Sequence, residues 1–128
     1  MAVGHLAQVH ISVADIERSV RFYRDVLGMQ HLFTVPGTPM AFFASGDVRL
    51  YFGVPESDRF RSRCVNYFRV DDLDAEIARL RGLGETVGEP TLAHRDADHE
   101  LWLADLTDPD GHHVILMQER PLDADSSS

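Results

Sequence analysis

His10, two residues after Gln8, and His113, two before Ile115, should both point to the cleft face of their candidate strands, and imidazole can ligate a divalent cation or act as a general base near neutral pH. Around them, by strand alternation, lie Gln8, Arg49, Tyr51, Val65, Tyr67, Ile115 and Met117. Such a mixture of polar hooks and apolar wall suits a small-molecule pocket; a solvated sheet face is richer in Lys, Glu and Thr. Tyr51 and Tyr67 supply flat rings for stacking on a planar ligand, and Trp102 and Phe60 lie in segments that could wall the pocket. Phe33, Phe42 and Phe43 read as core. His112 and His113, as strand neighbours, point to opposite faces and cannot hold one ion together. His94 and His99, among Asp96, Asp98 and Glu100, read as a solvated loop or pocket rim. The single Cys64 excludes an internal disulfide and a cysteine zinc cluster, and reads as a packed small apolar residue.

The elements that must position these residues occur twice. Gln8–Gly28 is an alternating strand, an acidic helix start and an amphipathic helix ending in Leu-Gly, and Val65–Gly84 repeats the outline. In the first copy Asp15 is the expected N-cap; Ile16, Val20, Tyr23 and Leu27 fall at helical spacing, and Gly28 suits a left-handed cap. Strands follow over 30–35, 40–44 and 48–54. The second copy predicts a strand over 65–70, a helix from about Asp72 with Leu73, Ile77 and Leu80 inward, and strands over 101–106 and 113–118. Between them 85–98 reads as irregular with a weak strand signal.

Overlaying Asp15 on Asp72 puts Val9, Ile11, Val13, Asn66, Phe68 and Val70 on the helix side, with Val48, Leu50, Phe52, Val54, Val114 and Leu116. The fold class is α+β, two βαβββ modules forming a curved sheet with a concave cleft and helices on the outer face. A single domain over 1–128 is expected, with module one about 6–55, a connector at 56–63, module two about 64–120 and a disordered tail at 121–128.

Acidic residues outnumber basic ones 21 to 12, a formal net charge of -9. Nucleic acid, whose phosphates need clustered cations, is not an expected partner. Nor is a membrane: no apolar run could span a bilayer and no signal segment is evident, which makes a cytoplasmic location the expectation.

The run Asp15-Ile-Glu-Arg-Ser-Val-Arg-Phe-Tyr-Arg-Asp-Val-Leu-Gly28, with Asp108-Pro-Asp-Gly111 before a strand, resembles the vicinal oxygen chelate superfamily of glyoxalase I, extradiol dioxygenases and bleomycin-resistance proteins. The resemblance implies four metal-ligand positions, which fall here on Gln8, Tyr51, Val65 and Ile115. Gln8 suits a metal, Tyr51 is an uncommon ligand, and Val65 and Ile115 have no donor atom. The expected activity is therefore metal-independent binding of a bulky small molecule, as in antibiotic sequestration, with no cofactor and no catalytic residue. Its ligand would be a cationic or aromatic natural product held by Gln8, His10, Arg49, Tyr51, Tyr67 and His113 against Val65, Ile115, Met117 and Trp102. The resemblance also implies a homodimer. The alternative is an enzyme, either a metal-dependent lyase, isomerase or dioxygenase with a displaced site at His10 and His113 and with Tyr67, or a metal-free acid–base catalyst using one of those histidines.

Overall fold

The computed structural model describes residues 2–122. Two compact units divide the chain: residues 2–64 with the turn 108–112, and residues 65–107 with 113–122. Each is a four-stranded mixed sheet with a helix, the α+β pattern of two βαβββ modules.

The first unit runs β1 (Gln8–Ser12), α1 (Ile16–Arg21), β2 (Gln30–Thr34), β3 (Met40–Ser45) and β4 (Val48–Gly53), with sheet order β1-β4-β3-β2. Asp15 caps α1 by accepting from the Arg18 amide, as its residue type and position predict. The helix does not continue regularly to Leu27. From Phe22 to Val26 it widens into a π-helical turn, closed by the bond from Leu27 N to Phe22 O. The consecutive rings of Phe22 and Tyr23 are both buried there. Gly28 then takes φ +75, the left-handed conformation expected of it. Ile11, Phe43, Phe52 and Tyr23 form the centre of this core, each worth about 1.5–3 kcal/mol in apolar burial.

The second unit runs β5 (Val65–Arg69), α2 (Leu73–Gly82), β6 (Thr91–Arg95), β7 (His99–Thr107) and β8 (His113–Pro121), in order β5-β8-β7-β6. Asp72 caps α2 as Asp15 caps α1, and Leu73, Ile77 and Leu80 are buried against the sheet side that holds Ala104, Leu106, Val114 and Leu116. The weak strand signal within 85–98 is β6, whose residues are all exposed. The expected tail at 121–128 begins with Pro121, the last residue of β8; of the remainder, 123–128 lies outside the described residues.

The turn 108–112 packs in the first unit. Asp108 is buried and its carboxyl accepts from the Tyr23 hydroxyl at 2.7 Å and from the amides of Asp110 and His112 at 2.9 Å. Burial, then the neighbouring Asp108, pushes the Tyr23 phenol far up, so it remains a donor. His112 is also buried. Its Nδ1 accepts from the Cys64 amide at 3.1 Å, which leaves the ring proton on Nε2 to be donated to the Ser12 carbonyl.

Candidate functional site

Strand alternation decides which side chains of the first unit are free to meet a ligand. Leu50 and Phe52 of β4 face the core, so Arg49 and Tyr51 stand on the opposite sheet face. In β3 Phe43 is fully buried, which puts Phe42 on Tyr51's side. The strand register then sets Phe33 opposite Phe42, Phe42 opposite Tyr51, and Tyr51 beside His10.

The result is a row of four rings crossing all four strands. Phe33 and Phe42 lie 4.8 Å apart between centroids, Phe42 and Tyr51 are stacked at 5.1 Å, and His10 meets Tyr51 edge-on at 4.8 Å. Arg49 lies over Phe42 at 4.9 Å and donates from Nε to Gln8 Oε1 at 3.1 Å. Burial lowers the pKa of His10, which favours the neutral imidazole. Phe33 and Phe42 are thus part of this face and not of the core, contrary to the expectation from sequence. The signal was present in the adjacent pair Phe42-Phe43, since successive strand residues cannot both face inward.

Gly53 makes the row possible. A Cβ there would lie 2.8 Å from Tyr51 Cε1 and 3.0 Å from His10 Nε2, so the two rings occupy space that any other residue would fill.

The connector supplies a wall. Ser12 fixes it by donating to the Phe60 carbonyl at 3.1 Å and accepting from the Ser62 amide at 3.0 Å. Between Gln8, His10, Tyr51 and the connector residues Glu56, Arg59 and Phe60 lies a cavity of about 580 Å³, within the usual range of ligand pockets. Val54, expected on the helix side, is instead exposed and lines this cavity, because β4 and its alternation end at Gly53.

In the second unit Val65, Tyr67, Ile115 and Met117 share the face opposite α2, as predicted, with Val65 and Tyr67 more than half exposed. His113 is there too, its Nδ1 at 3.1 Å from Asp105. Trp102 is not. It pairs with Gln118 and has the parity of the buried Ala104 and Leu106, so it stands on the helix side, under Arg120 at 5.0 Å, with its Nε1 donating to Glu100. The expected pocket role for Trp102 fails on strand parity. His94 and His99 belong to a surface hairpin whose Asp96 accepts from the amides of Asp98 and His99; those bonds lower the Asp96 pKa.

The four positions where the fold family implies metal ligands do not suit one. Val65 and Ile115 end in hydrocarbon, and the carbonyl of Gln8 already accepts from a guanidinium, whose positive charge opposes a divalent cation beside it. Among the described residues no three His, Cys, Asp or Glu side chains come together in a way that could hold a metal ion. No helix among them is long and apolar enough to cross a membrane.

Comparison with known proteins places this geometry in a family. An antibiotic-binding protein, TnmS3 from Streptomyces sp. CB03234, is 28% identical with a TM-score of 0.76, over 94% of this chain and 99% of its own. The lactoylglutathione lyase of Agrobacterium tumefaciens is 21% identical with a TM-score of 0.71, over 91% and 95%. VPC_CASS1, from the mobile metagenome of V. Pseudocholerae, is 22% identical with a TM-score of 0.74, over 92% and 96%. The last two likenesses speak to the fold alone. The family model of the Glyoxalase/Bleomycin resistance protein/Dioxygenase superfamily matches residues 2–116, and the chain belongs to that superfamily.

Proposed function

We propose that this protein binds a bulky, planar small molecule without metal and without turnover, as an antibiotic-sequestering member of its superfamily. The observation that carries the reading is the row Phe33–Phe42–Tyr51–His10, which lies on the sheet face opposite the core. Phe42 and Tyr51 are stacked, with Phe33 tilted beside one and His10 edge-on to the other, so the row offers a continuous aromatic surface, and each further ring pair is worth about 0.5–1.5 kcal/mol beyond area burial. The likeness to TnmS3 supports the same reading. We further propose a cytoplasmic homodimer.

The test is calorimetric titration of EDTA-treated protein with glycopeptide, quinone and enediyne antibiotics. At least one planar member of the panel should bind, and Tyr51→Ile should weaken it by about tenfold. No binding across the panel, or equal binding by the variant, sinks the proposal.

A second reading is favoured by one contact, the His113–Asp105 pair, in which a carboxylate orients an imidazole as in general-base catalysis. Any turnover would then fall sharply in Asp105→Asn, whereas a pure binder has no turnover to lose.

A further inference from the structure

We propose that the ligand is a planar aromatic molecule carrying an anionic group, a carboxylate or an ionised acidic phenol, held by Arg49. This rests on the aromatic-row reading above and narrows it.

Arg49 uses one donor on Gln8 and lies over Phe42 at 4.9 Å; its terminal nitrogens have no acceptor among the described residues. Arg21 and Arg63 likewise have no ion pair among the described residues, but most arginines of this chain do. Acids outnumber bases 21 to 12, and arginines such as Arg18, Arg79, Arg81 and Arg120 each have a carboxylate within 4.0 Å. Arg59, on the cavity wall at 4.9 Å over Phe60, also has no carboxylate that close among the described residues. Glu56 is the acid lining the cavity, and no arginine among the described residues pairs with it.

The second unit is arranged differently at the matching places. Strand register makes His113 the counterpart of Arg49 and Asp105 the counterpart of Phe42. His113 faces the Asp105 carboxyl at 3.1 Å; Arg49 faces a ring. A guanidinium spread over an aromatic face keeps its planar fork free, and that fork matches a carboxylate in two parallel bonds. A ring stacked along Tyr51 and Phe42 would bring an anionic substituent to this fork. A cationic ring would meet Arg49 and Arg59, neither with a carboxylate partner among the described residues, against the single carboxylate of Glu56, a net repulsion that disfavours it. The chain's net charge of -9 acts mostly beyond the ~8 Å screening length and is weakened by salt, so the contact charges decide.

The experiment titrates the full chain, treated with EDTA and at low ionic strength, with three probes on one ring system: 9-anthracenecarboxylate, 9-anthracenemethanol and protonated 9-(aminomethyl)anthracene, read by anthracene fluorescence. The carboxylate should bind about fivefold tighter than the alcohol, the ammonium more weakly than the alcohol, and added salt should shrink the gap. Arg49→Gln should bring the carboxylate-to-alcohol ratio close to one, and Arg49→Lys should keep part of it. The ratio is read within each variant, so any loss common to all probes cancels. Equal affinities, or a preference for the ammonium, overturn the anionic assignment while leaving the aromatic row as the binding surface. Failure of all three probes to bind overturns both.

Discussion

Across the first sheet the exposed row reads His10, Tyr51, Phe42, Phe33; at the matching places the second sheet has Tyr67, Ile115 and Asp105. The backbones beneath the two rows agree closely. Sheet order is the same and an aspartate caps each helix, although the edge strand slips register opposite Phe43 and Phe42 in one and opposite Trp102 and Leu101, which are not their counterparts, in the other. The first helix ends in a π-helical turn that the second lacks and β7 and β8 run longer than β3 and β4, but beneath the rows the main difference lies in the side chains on the face opposite the helices. The helix faces stay apolar in both, because a buried face tolerates little except hydrocarbon. A duplicated scaffold therefore leaves one face of each sheet open to change. Here the first carries a row of aromatic rings and an arginine with no carboxylate partner among the described residues, and the second carries Tyr67, aliphatic side chains and a His–Asp pair.

The hairpin turns between the last two strands of each repeat differ even more, and they bear the largest expected effect. Asp47, in the turn after β3, is exposed, whereas Asp108 after β7 is buried and accepts from three donors. Asp108→Ala leaves the Tyr23 hydroxyl and two amides without their acceptor, and should cost on the order of 3 kcal/mol in urea unfolding. Asp47→Ala should stay within about 0.5 kcal/mol of the parent. Equal losses from the two substitutions would mean that the turns do not differ in the way their burial implies.

Much of this plan can be read from the chain. The repeat, the Asp15 cap, the inward Leu73, Ile77 and Leu80, and the α+β class all follow from short-range periodicity, which side-chain chemistry enforces locally. The site was harder to read. Gln8, His10, Arg49 and Tyr51 were legible because strand parity is a local property. Phe33 and Phe42 read as core because hydrophobicity ordinarily goes with inward facing, but a sheet's outward face can be hydrophobic as well. Trp102 differs in the opposite sense: it lies in a segment that could wall the pocket, but its parity with Ala104 and Leu106 puts it on α2's side of the sheet. The role of Ser12 in anchoring the connector needs a partner 48 residues away, and no local pattern announces it.

Gly53 offers a sharper comparison, since its counterpart in the second unit is Met117. The backbone at 53 does not require glycine, because its φ is not positive; the two rings above it do. Gly53→Ala should therefore separate binding from folding. The contacts are to the mobile ends of Tyr51 and His10, so the fold can relax by turning the rings, and the loss of chain entropy in the unfolded state offsets part of the strain. Stability should change by less than about 1 kcal/mol, while affinity for a planar ligand should drop about tenfold as the row loses its alignment. A variant that binds as tightly as the parent would show that the row's spacing does not matter.

The smallest effect concerns His10, whose place in the second unit is taken by Tyr67. Desolvation lowers the His10 pKa below the ordinary value of about 6.5. Between the folded and unfolded values the unfolded chain binds more protons, so this residue makes stability rise with pH. Its contribution is complete above about pH 6.5 and is lost as pH falls through the lower folded value. His10→Tyr, which copies the second unit, removes that component and leaves the other histidines in place. Unfolding free energies of parent and variant, measured at intervals from acid to neutral pH, should therefore diverge as pH rises and run parallel above about 6.5, the parent gaining. Because His10 is only partly buried, the divergence should be modest. A difference that is flat, or that falls with pH, would mean that the imidazole is not desolvated by the row, and the contrast with Tyr67 would lose its electrostatic half.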